Sequence, residues 1–281
     1  MKQIEAGNDT LNSAFTYYEY DQAKGPYICP DPAKEIAANA RYNYNFETGL
    51  DQMMAISDNR AARGVALRYS GTFTPFNNTA AASGMAATTL RHNDGCAYWN
   101  LATHQFDPAH LRNDTTAADL AHLYEGVWNQ SLLTNAHSAR DEFLESANPT
   151  FGAGALQPII ADEAAKQGKS AIAAQFGSLV RTWGNTGKYD TCLPDANGNC
   201  GTMVIVRSGT GLIQLPFKAR GIVAPRTFSF GHLVSDTPVT CWENFDTPQT
   251  ECPIDTSYTN AYGNAANELV RDEIREALKT W

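Results

Sequence analysis

No stretch of this sequence approaches the roughly 18–20 consecutive apolar residues that a helix needs to span a bilayer. Spacings that hold zinc are missing too, since there is no Cys-x-x-Cys pair and no His-x-x-x-His pair. His92, His104, His110, His122, His137 and His232 therefore read as core or surface histidines, and neither a metal nor a cofactor is expected. A Gly-x-x-x-x-Gly-Lys loop is absent, and with it the backbone cradle for a nucleotide phosphate. No Gly-x-Ser-x-Gly elbow occurs, which removes the α/β-hydrolase route to a serine nucleophile. Cations are few: 21 Lys and Arg stand against 30 Asp and Glu, a formal charge of −9. That balance leaves no electrostatic footprint for nucleic acid and argues against a polybasic membrane patch.

What is there suits an ordinary folded protein. The 281 residues are 43% hydrophobic and 18% charged, enough for one large domain or two intimately packed lobes. Six cysteines are more telling by placement than by number. Cys192 and Cys200 bracket a turn-rich tip, Cys241 and Cys252 bracket a second loop, and Cys29 is left with Cys96. Three local pairings are the simplest of the fifteen that six cysteines permit. Disulfides imply an oxidising compartment, so an extracellular or periplasmic location is expected. Met1-Lys2-Gln3-Ile4-Glu5 is no signal peptide, so either a leader has been removed or the chain begins inside a longer product.

Helical spacing dominates the first part of the chain. The first nine or so residues read as the end of a helix stopped by Gly7. Residues 11–45 show no clear periodicity. Leu50, Met53 and Met54 then recur at helical spacing between Thr48 and Ile56, and a second helix is predicted over Asn59–Tyr69. Further helices are predicted near 78–90, 115–130, 137–147 and 155–167, the second of these opening on Thr115-Thr116 as an N-cap. Met203-Val204-Ile205-Val206, Leu212-Ile213-Gln214-Leu215 and Thr227-Phe228-Ser229-Phe230 are strand-like runs separated by Gly and Pro. A last helix from about 265 to 281 carries Val270, Ile274, Leu278 and Trp281 as one stripe, with Glu268, Arg271, Glu273 and Lys279 facing away. The order predicts an α+β single unit over 1–281: a helical lobe over about 1–170, then a sheet and closing helix over about 171–281.

Four segments keep a telling order. Met54-Ala55-Ile56-Ser57-Asp58-Asn59-Arg60-Ala61-Ala62 places three polar residues between two helices. Ser83-Gly84-Met85-Ala86-Ala87-Thr88-Thr89-Leu90 and Asn113-Asp114-Thr115-Thr116-Ala117-Ala118-Asp119-Leu120 follow, and Asn185-Thr186-Gly187 stands at the start of a strand. Together with the terminal helix, these resemble the Ser-Asp-Asn, Leu-Gly-Met, Thr-Thr and Lys-Thr-Gly segments of class A β-lactamases, within the penicillin-recognising serine hydrolases. The likeness runs over roughly residues 48–281. It implies an antiparallel sheet packed against a helical lobe, and acyl transfer through a serine ester on a small lactam or a peptide. By resemblance Ser57 would relay a proton to the leaving nitrogen, Asn59 would bind the substrate's acyl-amide, and Asp58 would fix the backbone. Thr186 would bond the substrate carboxylate, Gly187 would leave room beside the strand, and the N–H of Lys188 would serve the oxyanion hole. Arg207, on the next strand, is a candidate for bidentate carboxylate binding, or else a strand-edge cation in water.

Three departures stand against that pattern. No serine is followed three residues later by lysine, so the Ser-x-x-Lys nucleophile is not in this sequence. Either the chain starts just after the catalytic turn, lacking the N-terminal strands and the start of the nucleophile helix, or it is a divergent relative without a nucleophile. Asn185 stands where the family has lysine and brings no positive charge to Ser57. Asp107-Pro108 is the acid-proline pair in the region of the family's Glu-Pro, and Asp107 is either a hydrolytic base or the start of a turn. The expectation is a secreted serine acyl hydrolase, inactive or incomplete as this chain. Its rival is a catalytically dead relative that acts as a binding domain.

Overall fold

Gly7 does end the first helix. Helix α1 (Lys2–Glu5) closes where the Gly7 N–H bonds the Ile4 carbonyl and the chain turns left-handed at φ 73°. The computed structural model describes residues 1–18, 41–69, 73–91, 99–100, 105–106, 113–147, 153–196, 200–238 and 256–281. Strands β1 (Ala14–Tyr18) and β2 (Arg41–Asn45) pair antiparallel from Ala14↔Asn45 to Tyr18↔Arg41. This corrects the expectation of an aperiodic stretch. Each strand is only five residues long, and Phe15 alone among its described side chains is buried, so the period-two signal is too short to register.

Helix α2 (Phe46–Met54) opens on Asn45, whose side chain accepts from the Thr48 N–H at 2.9 Å. Helix α3 spans Asn59–Tyr69, as the spacing predicts. Helix α4 (Thr74–Ala82) starts on a proline in its first turn and stops well short of residue 90, because Gly84 turns the chain at φ 84°. The short strands β3 (Trp99–Asn100) and β4 (Gln105–Phe106) pair with each other. Helix α5 (Ala117–Trp128) is capped by Thr116, which accepts from the Asp119 N–H. Helices α6 (Ala139–Ser146) and α7 (Ala153–Lys166) match the predicted spans within a few residues. Helix α8 (Ala173–Leu179) was not predicted, since seven residues span barely two turns.

Strands β5 (Arg181–Pro194), β6 (Cys200–Ala219) and β7 (Ile222–Pro238) form one antiparallel sheet in the order β5-β6-β7. The runs at 203–206 and 212–215, expected as two strands, are one strand of 20 residues. The glycines between them do not punctuate; they make room. A β-carbon on Gly209 would lie 2.3 Å from the His232 ring, and one on Gly211 would lie 2.1 Å from the Trp183 carbonyl oxygen. Arg220 (φ 52°) and Gly221 (φ 82°) supply the two left-handed residues of the β6–β7 turn, the twist-matched hairpin geometry.

Helices cover both faces of this sheet. On one, the Thr210 hydroxyl donates to the Leu120 carbonyl of α5 at 2.7 Å, and α5 approaches Gly231 so closely that a β-carbon would meet the Ala117 oxygen at 2.1 Å. Leu212 joins a core there with Ile4, Phe15, Phe46, Leu50, Tyr124 and Leu144. On the other, Ile213, Leu215 and Phe217 pack against Leu156, Ile160 and Phe176 and against the terminal helix α9 (Thr256–Lys279). Its stripe of Val270, Ile274 and Leu278 is buried, as the periodicity predicts. Arg271 does not face away, however. It is half-buried, because Glu163 of α7 is 1% exposed and draws Arg271 and Arg275 onto its carboxylate, both at 2.8 Å. Among the described residues no helix is long and apolar enough to cross a membrane.

Candidate functional site

The Ser57 turn is built by its neighbours. The Asp58 N–H bonds the Gln52 carbonyl at 2.9 Å, which folds the chain back over the end of α2. Asp58 then caps α3, accepting from the Arg60 N–H at 2.8 Å, and its carboxylate is forked onto the Arg60 guanidinium at 3.0 and 2.9 Å. Burial works to raise its pKa, but the hydrogen bonds and charge of Arg60 outweigh it and hold Asp58 below the ordinary carboxylate range. Asp58 thus fixes backbone, as the resemblance implies. Ser57 is left exposed at the apex with φ 59°, a left-handed conformation that costs a non-glycine residue free energy. Asn59 is the first helical residue of α3; its side chain lies outside the described residues.

Opposite Ser57 stands β5, which has β6 as its only neighbour among the described strands. Its residues pair in register with β6 as Asn185↔Thr210, Thr186↔Gly209, Gly187↔Ser208 and Lys188↔Arg207. The Asn185 side-chain oxygen accepts from the Thr186 N–H at 2.7 Å and from the Ser57 hydroxyl at 3.4 Å. The second contact is longer than a good O–H···O bond and correspondingly weak. Both of these contacts use the Asn185 oxygen, so neither occupies the donors of its amide nitrogen. Thr186 and Gly187 are exposed along the same edge. Gly187 has a steric reason to be glycine, since a β-carbon would lie 2.8 Å from the Ser208 hydroxyl.

The fold therefore brings Ser57 and Asn185 into contact and sets Thr186, Gly187 and Lys188 next along one strand edge. Arg207 is half-buried on β6, which has a strand on either side, and it pairs with Lys188 across the ladder beside a bulge. The side chain of Lys188 and the whole of Asp107 lie outside the described residues, as do the side chains of Cys192 and Cys200 and the other four cysteines. The polar set consists of an exposed hydroxyl, an amide and a strand edge, without a described cation on Ser57. Such a set can hold a carbonyl-bearing ligand by hydrogen bonds. It does not by itself lower the serine's pKa. Among the described residues no group of three His, Cys, Asp or Glu side chains is arranged to hold a metal ion.

One supporting residue escaped sequence reasoning. Asp119 is buried and accepts from the Ala87 N–H at 3.0 Å and the Thr88 hydroxyl at 2.8 Å, while Thr88 meets Thr115 at 2.9 Å. With the Thr89↔Asp114 bridge, this ties the Ser83–Leu90 segment to the start of α5. The signal was present as Thr116-x-x-Asp119, a capping-box spacing whose acid here turns inward to a second segment.

Residues 1–145 match the profile of the β-lactamase enzyme family. Comparison with curated proteins gives no match. Among solved structures, the chain is similar to a class A β-lactamase from Bacteroides cellulosilyticus DSM 14838, with TM-score 0.52 and 13% identity over 98% of this chain and 78% of that one. It is similar also to a β-lactamase from Chitinophaga pinensis DSM 2588, with TM-score 0.50 and 12% identity over 95% of this chain and 80% of that one. At such identities the structures speak for the fold, and they agree with the α+β arrangement of an antiparallel sheet between helices. With half the sequence matched by the family profile and the fold matched throughout, the chain belongs to the β-lactamase enzyme family.

Proposed function

We propose that this chain carries the proton-relay and substrate-binding side of a serine acyl-transfer site for a lactam or an acyl-peptide. The observation that carries the reading is the contact between Ser57 and Asn185 at 3.4 Å, which joins the turn before α3 to the open edge of β5. In this reading a ligand carbonyl lies along β5, its carboxylate on the Thr186 hydroxyl and its acyl-amide on Asn59. The step needs a serine hydroxyl, not identified in this sequence, to add to the ligand carbonyl, and the Lys188 N–H would hold the resulting oxyanion. As the C–N bond breaks and the acyl group stays on that serine, Ser57 would hand a proton to the leaving nitrogen. Lys188 and Arg207 add positive charge beyond Thr186, and Asp107 is the proposed base for hydrolysis. The whole chain acts as one unit, exported, with its cysteines paired as three local disulfides.

Titration of a penicillin against the protein, with intact-mass spectrometry on the same mixture, tests this. Saturable binding that weakens about tenfold in Thr186→Ala is the expected result, a hydrogen bond to a charged group being worth roughly 1.5 kcal/mol or more. Absence of saturable binding overturns it.

A second reading, a binding domain that never acylates, is favoured by one specific observation. Ser57 donates its proton to a neutral amide oxygen, whereas a lysine there would present positive charge. The mass measurement bears on the two. An acyl adduct mapped to a serine of this chain would identify a nucleophile and support transfer chemistry. Saturable binding with unchanged mass shows that this chain binds without acylating and favours the binding domain. Labelling of cysteines before and after reduction tests the disulfides.

A further inference from the structure

The sheet ends, far from Ser57, in a hairpin tip whose chemistry differs from that of the whole chain. From Thr210, beside Asn185, to Ala219 at the end of β6 the strand runs about 30 Å, at roughly 3.4 Å per residue. There Phe217-Lys218-Ala219-Arg220-Gly221-Ile222-Val223-Ala224-Pro225-Arg226 holds three cations and no acid, within a protein of net charge −9. Ile222 is 71% exposed and Val223 39%, and Ala224, Pro225, Arg220 and Arg226 are exposed beside them. Aliphatic side chains at a two-residue turn have no neighbour to bury against, and each leaves apolar surface in water.

Two of the three cations are held against aromatic rings. The Lys218 ammonium sits over the Trp281 ring at 5.1 Å from its centroid, and the Arg226 guanidinium over the Phe217 ring at 4.4 Å. Trp281 is fixed in turn by its indole N–H on the Pro216 carbonyl at 2.8 Å, and the Lys218 N–H donates to the Thr280 hydroxyl at 2.8 Å. The nearby end of α9 is neutral or basic as well, because Glu276 is paired with Lys279 and Lys169 donates to the last carbonyls of the helix. An exposed apolar prong is thus flanked by two cations seated on aromatic rings, with Arg220 at its turn.

We propose that the β6–β7 tip is a peripheral docking element for an anionic lipid surface, with Ile222 and Val223 entering the interface and Lys218, Arg220 and Arg226 meeting the headgroups. Charge complementarity and shape select this partner. A stable protein–protein contact buries about 800 Å² on each side, which a convex turn and its flanks do not offer, whereas a bilayer accepts an inserted prong and extends past it on every side. The net acidity of the chain reaches the tip only through charges within a Debye length of about 8 Å, and the acid on the adjoining end of α9, Glu276, is paired with Lys279.

Vesicle co-sedimentation tests the proposal, using phosphatidylcholine alone and phosphatidylcholine mixed with phosphatidylglycerol, with folding of each variant checked by circular dichroism. Binding is expected only to the anionic vesicles and is expected to weaken with salt. Ile222→Ser with Val223→Ser should lower the partition coefficient on the order of tenfold or more, and Arg220→Ser about fivefold. No binding to anionic vesicles overturns the proposal, as does binding that the folded tip variants leave unchanged. Self-association in sedimentation velocity that the Ile222→Ser variant abolishes, without vesicle binding, would assign the tip to a second copy of the chain instead and overturn it equally.

Discussion

The Ser57 hydroxyl and the Asn185 side-chain oxygen meet at 3.4 Å although 128 positions separate them in the chain. Serine donates and the amide oxygen accepts, so the serine proton is held by a neutral group that already accepts the Thr186 N–H. The charge the family pattern would place here is the missing ingredient. Asn185→Lys should therefore tighten binding of a carboxylate-bearing lactam about tenfold at low salt, and the gain should shrink as ionic strength rises. Calorimetry at two salt concentrations reads both effects. Equal affinity in the two proteins would mean that residue 185 does not face the ligand.

Ser57 itself stores backbone strain. At φ 59° a β-carbon is disfavoured by roughly 1–2 kcal/mol, a cost glycine does not carry. Ser57→Gly should leave the protein about 1 kcal/mol more stable to urea, offset in part by the freedom glycine gains in the unfolded chain, while Ser57→Ala should gain nothing. Ligand binding should fall in both. A stability gain in the alanine variant would show that the hydroxyl, not the backbone, is the strained element.

Glu163 anchors α9 to α7. Its carboxylate accepts from Arg275, Arg271 and Lys166, and these hydrogen bonds, Arg275 foremost, outweigh burial and hold its pKa at about 2, against an ordinary 4.5. A depressed acid contributes stability above its unfolded pKa and loses it as pH falls toward the folded one. Stability should therefore decline between about pH 4.5 and pH 2, and Glu163→Gln should flatten that decline. At neutral pH the same variant should cost about 3 kcal/mol, near the low end for a broken buried pair because its cations keep some contact with water. Denaturation midpoints across pH measure both.

Gly209 is a packing residue. A β-carbon there would lie 2.3 Å from the His232 ring, which itself stacks on Phe230 at 6.2 Å. Gly209→Ala should destabilise by roughly 2 kcal/mol, and His232→Ala in the same protein should recover part of that loss. Thermal unfolding of the two single variants and the double variant gives the coupling. Strict additivity would mean that the ring is not what the methyl meets.

Helix α3 and the stripe of α9 were legible in the sequence because a helix writes its buried face at fixed spacing, and Val270, Ile274 and Leu278 sit on that face. The β1–β2 pair and helix α8 were not, being too short for a period to accumulate. Glycine misled at β6: without its neighbours, Gly209 reads as a break, and only the imidazole of His232 against it shows that it is a place of close approach. Arg271 misled in the same way, since a cation on a polar face reads as solvated until a buried carboxylate on another helix is brought beside it.

By itself, the sequence determined the fold class, the family likeness and the two segments that hold Ser57 and Asn185, since all of these depend on local pattern and residue order. Only the tertiary structure decided that those segments touch, that Asp119 ties two others together, and that the isoleucine among three neighbouring cations stands exposed. Contacts between residues tens to more than a hundred positions apart leave no period in a chain. They are fixed by which faces can be buried together, and that is settled only when the whole chain packs.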